Sequence, residues 1–300
     1  MGLLSALPGA VAQGIIWGIM AIGVFVTFKI LDIADLTVDG SICTGAAVFT
    51  VLMMKGVNAY AALAGAALAG ILAGTVTGLF HTLLGIPAIL SGILTQLILW
   101  SANLKILGKA NQALPSRQFD VMLSQNDITT ALVVLAVVSA ILIAVLYWLF
   151  GTEFGSGLRA TGCNLNMSRA QGINTGFYKI IGLALSNGIV ALSGALLCQY
   201  QGFTDINMGR GAIVIGLAAV IIGEALFSKI AKNFAVRLIS VIAGGIIYYI
   251  VYQAVISTGF DSDLLKMLSA IIVAIFLGAP YIKKTYFSSK KVKKGGSGNA

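Results

Sequence analysis

The sequence predicts an all-α membrane protein that crosses the bilayer about nine times. Hydrophobic residues make up 58% of the 300-residue chain, charged residues make up only 10%, and the mean hydropathy is +0.98. A soluble domain carries about 25% charged residues, because its surface faces water. A chain with so little charge cannot cover itself with polar surface, so we expect a polytopic transmembrane helical bundle surrounded by lipid.

Uncharged runs of helical length place the crossings. A bilayer core of about 30 Å needs about 20 helical residues, and the stretch from Gly56 to Leu104 must cross twice, because apart from His81 it holds no Lys, Arg, Asp or Glu. Pro87 predicts the break between these two helices, since proline lacks a backbone donor and restrains the residue before it. The other predicted crossings are Val11–Phe28, Gly40–Met54, Thr129–Gly151, Ile180–Gln201, Gly211–Phe227, Leu238–Gly259 and Met267–Ile282. For the short run Gly40–Met54, a broken helix is the open alternative to a crossing with polar first turns.

Small residues recur every four positions in the helix before Pro87, at Ala66, Gly70, Gly74 and Gly78. This spacing puts them on one helix face. In membranes such faces allow two helix backbones to approach closely. We therefore expect this helix to pack tightly against a neighbour.

Basic residues predict the orientation. We expect residues 1–282 to form the transmembrane domain and residues 283–300 a basic cytoplasmic tail, which with nine crossings puts the amino terminus outside. The inner side then holds thirteen of the nineteen Lys and Arg residues and the outer side six, as the positive-inside rule requires. The tail favours anionic lipid over nucleic acid as its partner, through Lys283, Lys284, Lys290, Lys291, Lys293 and Lys294.

The longest polar insert between crossings is Thr152–Thr175. Asn164 is placed to cap a short helix from Leu165 to about Gln171, because its side chain can accept from exposed backbone amides. Gly172 is a natural terminator for that helix. A short basic helix without catalytic groups suits docking to a soluble partner, while a plain solvated loop remains the alternative.

The pattern Arg-Ala-Thr-Gly-x-Asn-x-x-x-Ser-Arg-Ala-x-Gly-Ile-Asn over Arg159–Asn174 resembles the cytoplasmic loop of bacterial ABC importer permeases. It is most similar to the branched-chain amino acid and simple-sugar permease group, in which this loop carries a coupling helix that sits in a groove of the ATPase. Asp35–Ser41 and Gly85–Thr95 are similar to the same permeases, although Asp39 departs from the sugar-permease pattern. The resemblance implies ATPase-coupling roles for Arg159, Gly162, Asn164, Ser168, Arg169, Ala170, Gly172, Ile173 and Asn174.

This resemblance covers about Val11 to Ile282 and implies a multi-pass subunit in the bacterial plasma membrane that imports a small polar solute. The chain has no Gly-x-x-x-x-Gly-Lys-Ser/Thr phosphate loop, so we expect a separate ATPase to use ATP and Mg²⁺, and this chain to bind no cofactor and to be no enzyme. The other implied partners are an extracytoplasmic substrate-binding protein and a second permease copy. The Asp-Leu-Thr-Val-Asp-Gly sequence is similar to that of amino acid systems, which favours an amino acid over a sugar, with aromatic amino acids as candidates.

Polar side chains within the crossings are candidates for the substrate pathway. Their burial in a membrane costs free energy, so the polar residues found there often have a function. Asp32, Asp35 and Asp39 are three and four residues apart, which predicts that they share one helix face. Interhelical hydrogen bonding is the open alternative for Gln96 and Asn103. The predicted pathway residues are Asp35, Thr37, Asp39, Ser41, Gln96 and Asn103.

Other polar residues near the crossings have simpler interpretations. Lys29 is placed to pair with Asp32, and Asn187 is interpreted as a packing hydrogen bond. Glu224 is interpreted as a juxtamembrane charge, with a gating or interface ion pair as the open alternative. His81 has no carboxylate or cysteine at ligand spacing. The three cysteines are far apart, so we expect neither a metal site nor a catalytic centre; they are Cys43, Cys163 and Cys198.

A self-sufficient secondary transporter is the main competing function class. Such a protein would couple transport to ions through membrane-embedded carboxylates such as Asp39. These folds often contain inverted repeats with paired broken helices, and the two halves of this sequence show no convincing repeat. An intramembrane enzyme is a more distant alternative, because no nucleophile and base pair stands out.

Overall fold

The computed structural model describes residues 3–115, 119, 121–227 and 233–257, with isolated helical positions between 267 and 278. Its helices are α1 Leu3–Phe25, α2 Val38–Met54, α3 Ala59–Thr82, α4 Ala88–Leu107, α5 Ile128–Gly151, α6 Glu153–Cys163, α7 Leu165–Ala170, α8 Thr175–Gln201, α9 Ala212–Phe227 and α10 Phe234–Ile256. A π-helical turn, Val26–Ile30, continues α1. The strands β1 Asn111–Ala113 and β2 Phe203–Asp205 pair antiparallel.

Within the described residues, six helices are long and apolar enough to cross a membrane: α1 with its π-turn, α3, α4, α5, α8 and α10. The apolar helices α2 and α9 are shorter, at 17 and 16 residues. The prediction of an all-α polytopic membrane protein is confirmed, while the nine crossings and the orientation stay predictions. Most of the predicted crossing Met267–Ile282 and all of the tail 283–300 lie outside the described residues. Four further basic residues that were counted to predict the orientation also lie outside them: Arg117, Lys229, Lys232 and Lys266.

The long helix α8 lies at the centre of the bundle and packs against α1, α2 and α3. The small-residue face of α3 makes the closest of these approaches. A methyl group on Gly70 would overlap the backbone carbonyl of Asn187, and one on Gly74 would overlap that of Leu183. The predicted tight packing of this face is confirmed.

The helices α4 and α5 are apolar but lie at the periphery. Leu97 of α4 is 62% exposed and Trp148 of α5 is 70% exposed. Asp127 caps α5 by accepting from the backbone amide and the hydroxyl of Thr130, and these hydrogen bonds lower the pKa of its carboxyl group. The exposed faces of both helices are free to contact lipid or another chain.

The connection between α1 and α2 corrects one prediction. Residues 31–37 are not helical, so Asp32, Asp35 and Asp39 do not share one helix face. Asp32 has a φ of 55°, a left-handed conformation that aspartate tolerates better than most residues, and it interrupts the helical path. The predicted ion pair between Lys29 and Asp32 is also wrong. Lys29 Nζ instead lies 2.7 Å from Glu224 Oε2 of α9.

The break at Pro87 is confirmed, since α3 ends at Thr82 and α4 begins at Ala88. Gly85 in this connection has a φ of 68°, which a residue with a Cβ rarely adopts. Two elements were not predicted: the helix α6 within the polar insert, and the β1–β2 ribbon that joins two loops far apart in sequence.

Candidate functional sites

The helix α7 is the short helix predicted within the polar insert. Asn164 Oδ1 accepts from the backbone amide of Met167 over 3.0 Å, and Ser168 Oγ donates to the Asn164 carbonyl over 2.9 Å. Gly172 has a φ of 79°, the conformation in which many helices end. The predicted cap, helix and terminator are confirmed, with the helix ending at Ala170 and Gln171 as its C-cap.

Both ends of α7 are fixed to the bundle. At the end of α6, Gly162 lies so close to the carbonyl of Ile30 that a Cβ would overlap it. On the other side, Arg169 Nε donates to Thr175 Oγ1 in the first turn of α8 over 3.0 Å, and the Asn174 side chain caps α8. The segment that carries α7 is therefore in direct contact with the π-turn after α1 and with the start of α8.

The outer face of α7 combines apolar and basic side chains. Leu165 is 37% exposed and Met167 is 59% exposed, while Arg169 and Ala170 are also exposed. Ser168 points inward and is buried. Methionine and arginine are enriched in protein–protein interfaces, so this exposed face is compatible with docking, which stays a prediction.

Arg159, by contrast, lies against the bundle. Its guanidinium group donates to the carbonyl of Phe150 and lies 6.0 Å from the ring centres of Phe150 and Phe234. It also lines a cavity of about 460 Å³ together with Lys29 and Glu224. Arg159 thus ties α6 to α5 and α10, and direct contact with a partner stays a prediction for this residue.

Three predicted pathway residues, Asp35, Thr37 and Ser41, surround Asn187 of α8 in a buried network. Asn187 Nδ2 donates to Asp35 Oδ2 over 2.6 Å, and Ser41 Oγ donates to Asn187 Oδ1 over 2.6 Å. The Thr37 amide donates to Asp35 Oδ1 over 2.9 Å, and its hydroxyl lies 2.8 Å from that of Thr77. These residues are at most 3% exposed, so the network joins α2, α3 and α8.

Asp39, in the first turn of α2, binds the amino-terminal end of α9. Its carboxylate oxygens accept from the backbone amides of Gly211 and Ile213, each over 2.9 Å. The first amides of a helix have no partner within the helix and carry a partial positive charge. Asp39 therefore holds α9 to α2, a role that local spacing did not reveal.

The other two predicted pathway residues, Gln96 and Asn103, line a cavity of about 170 Å³ beside Asp39. Arg210 and Trp100, which the sequence did not single out, line it too. Asn103 is 1% exposed, and its Nδ2 donates to the Gly40 carbonyl over 3.5 Å. The structure thus brings together Asp39, Gln96 and Asn103, and it separates them from the network of Asp35, Thr37 and Ser41.

His81 joins the α3–α4 connection to α8. Its Nδ1 lies 2.9 Å from the Ile86 carbonyl, and its Nε2 lies 3.0 Å from Lys179 Nζ. A lysine ammonium group can only donate hydrogen bonds, so Nε2 of His81 is the acceptor. The N–H of Nδ1 then donates a hydrogen bond to the carbonyl oxygen of Ile86. No three His, Cys, Asp or Glu side chains within the described ranges are grouped to hold a metal ion.

The sequence of this chain is similar to those of known transport proteins over most of its length. Residues 7–279 match the family described as the permease component of branched-chain amino acid transport systems. The tyrosine transport system permease protein of Clostridioides difficile (strain R20291) is 39% identical over 275 residues, which cover 91% of each chain. An uncharacterized protein of Rickettsia prowazekii (strain Madrid E) is 32% identical over 278 residues, 92% of this chain and 98% of that one.

A third relative is the autoinducer 2 import system permease protein LsrC of Yersinia pestis (strain Pestoides F). It is 32% identical over 191 residues, which cover 61% of this chain and 52% of that one. No solved structure matches the chain significantly. The chain therefore belongs to the branched-chain amino acid permease family of ABC importers and is the membrane-spanning transport subunit of such a system.

Proposed function

We propose that this permease imports an amino acid, with aromatic amino acids as the favoured class, across a bacterial plasma membrane. The observation that supports the substrate class is the 39% identity to a tyrosine transport permease over 91% of both chains. The relative named for autoinducer 2 import matches over only about half of its own length. The amino acid is thus the substrate class better supported by the extent of the match.

The helix α7 is the element that docks on the ATPase. Leu165, Met167 and Arg169 are exposed on it, and its ends are fixed to α1 and α8. When the ATPase subunits bind ATP with Mg²⁺ and close, they displace α7, and the rigid connections rock α1 and α8. The pathway then opens alternately to the two sides of the membrane, with the substrate delivered by an extracytoplasmic binding protein.

The permease works as a pair of copies in which each chain crosses the membrane nine times. The exposed apolar faces of α4 and α5 offer surfaces for the second copy and for lipid. In this arrangement the amino terminus lies outside, while α7 and the basic tail lie in the cytoplasm, as the distribution of basic residues favours.

Cysteine labelling in intact cells tests this topology. After Cys43, Cys163 and Cys198 are replaced, we expect single cysteines at Gln171 and Lys290 to resist a membrane-impermeant thiol reagent until the cells are opened. A cysteine at Asn126, in the connection between α4 and α5 that the nine-crossing topology puts outside, is the positive control. Labelling of either cytoplasmic position from outside would contradict the topology.

Asp39→Asn is expected to reduce uptake while leaving assembly with the ATPase intact. Asparagine of the same size keeps one acceptor oxygen but turns an NH₂ group toward the amides of α9, and it loses the charge that stabilises the helix end. A hydrogen bond to a charged group contributes about 1.5–3 kcal/mol, so we expect a looser α9. Uptake rates in proteoliposomes measure the effect.

The matched control for this prediction is Asp32→Asn. Asp32 is exposed and has a left-handed backbone that asparagine also adopts, so its uptake should equal that of the wild type. Wild-type uptake by Asp39→Asn would show that the carboxylate charge is not needed for transport.

The experiment that tests the proposed function is uptake from a mixed panel of solutes. Proteoliposomes contain the permease, its ATPase and its binding protein, with ATP and Mg²⁺ available to the ATPase. We expect accumulation of labelled tyrosine or another aromatic amino acid, and competition by amino acids but not by ribose. Accumulation of a sugar with no competition by any amino acid would overturn the substrate class.

A further inference from the structure

The cavity between α2, α4 and the chain before α9 contains a polar atom that the fold does not use. Asn103 is 1% exposed, and within the described part of the chain its Oδ1 has no hydrogen-bond partner. Its Nδ2 makes one long contact, 3.5 Å from the Gly40 carbonyl. Buried side-chain oxygens nearly always accept a hydrogen bond, so this lining residue has an acceptor left over for a donor.

Arg210, an exposed residue, lines the same cavity. In the described part of the chain, the observed ion pair joins Lys29 and Glu224. Arg210 has no carboxylate within ion-pair distance there. Both oxygens of the nearby Asp39 carboxylate accept from the α9 amides. The cavity is therefore lined by a cation without an ion pair and by an amide whose buried oxygen has no hydrogen-bond partner.

These two groups match the two ends of an amino acid. A guanidinium group binds a carboxylate through two parallel hydrogen bonds, and an amide oxygen accepts from an ammonium group. The cavity volume of about 170 Å³ is far larger than the ~10–15 Å³ that one water molecule needs. Trp100 also lines this cavity, and an indole ring packs favourably against an aromatic side chain.

We propose that this cavity is a transient binding site for the α-carboxylate and α-ammonium groups of the transported amino acid. Arg210 binds the carboxylate and Asn103 Oδ1 accepts from the ammonium group. The inference rests on the proposed import of an amino acid and adds to it a recognition site inside the permease itself. The site is separate from that of the binding protein.

Equilibrium binding of labelled tyrosine to the permease–ATPase complex, without the binding protein, tests this site. The complex is held in nanodiscs of phosphatidylcholine, so no lipid headgroup supplies a carboxylate. We expect saturable binding that tyrosine and phenylalanine displace. Tyramine, which lacks the carboxylate, and 3-(4-hydroxyphenyl)propionate, which lacks the amine, should displace it at least tenfold less well. Addition of phosphatidylserine shows whether a lipid headgroup competes for the same groups.

Variants assign the binding to the cavity. Arg210→Gln and Asn103→Leu are each expected to weaken tyrosine binding at least tenfold. Arg210→Lys, which keeps the charge but cannot make two parallel hydrogen bonds to a carboxylate, is expected to give an intermediate loss. Lys105→Gln, an exposed change on the same helix as Asn103, should leave binding unchanged. A variant is compared only if it co-purifies with the ATPase in normal yield, and Asn103→Ser replaces Asn103→Leu if the leucine prevents folding.

Two results would overturn the site. If the complex binds tyrosine and every variant binds it as tightly, the ligand lies elsewhere. If the wild-type complex binds no aromatic amino acid at millimolar concentration, the cavity is not a recognition site. Uptake by the same purified complex, moved from nanodiscs into sealed proteoliposomes with the binding protein added, would leave the import function standing in either case.

Discussion

The double change Arg169→Glu and Gly172→Pro is expected to abolish uptake and co-purification of the ATPase while membrane insertion stays normal. Gly172 has a φ of 79°, and proline is restricted to a φ near −65°. Proline also removes the amide that donates to the Arg169 carbonyl over 3.0 Å. The glutamate replaces a donor to Thr175 and reverses the charge of the docking face.

The size of this effect follows from how interfaces distribute their energy. A few well-packed residues carry most of the affinity, and loss of one costs about 2–4 kcal/mol, which weakens binding by about 30- to 1000-fold. Pull-down of the ATPase and uptake in proteoliposomes measure it. The control is Lys109→Glu, an exposed charge reversal outside the segment. Full ATPase retention by the double variant would show that α7 is not the coupling helix.

Gly74→Leu is expected to prevent the bundle from folding. A Cβ at Gly74 already overlaps the Leu183 carbonyl, and the backbone of α8 cannot move away without disturbing the buried contacts along its length. Overpacking costs about 1–3 kcal/mol even where side chains can adjust, and here a backbone must shift. The yield and thermal stability of the detergent-purified permease measure the loss.

Gly151→Leu is the matched control for this second change. Nothing lies within 4 Å of a Cβ built at Gly151, so the leucine has room, and we expect unchanged yield. Equal stability of the two variants would contradict the close approach of α3 and α8.

Local sequence patterns predicted the features that depend on neighbouring residues. The four-residue spacing around Gly74 predicted a packing face, Pro87 predicted a helix break, and Asn164 with Gly172 predicted the bounds of α7. Each of these features is decided within about one helical turn, by capping, by backbone restriction or by the helical repeat. Such signals are visible without knowledge of the tertiary fold.

The partners of the charged residues were not predictable in this way. Asp39 binds amides 172 and 174 residues further along the chain, and Lys29 pairs with Glu224 rather than with Asp32. Spacing arguments find only partners within four residues, whereas these contacts arise because α9 packs beside α1 and α2. Arg210 was not singled out for the same reason, since its cavity is assembled from three separate segments.

The most direct test of the function is the energy source of uptake. Proteoliposomes containing the permease, its ATPase and its binding protein are supplied with labelled amino acid, and with either ATP or a non-hydrolysable analogue at the ATPase. We expect accumulation only with hydrolysable ATP, and none when a sodium or proton gradient is imposed without ATP. Accumulation driven by an ion gradient in vesicles that contain the permease alone would contradict the ABC importer mechanism and indicate an ion-coupled transporter.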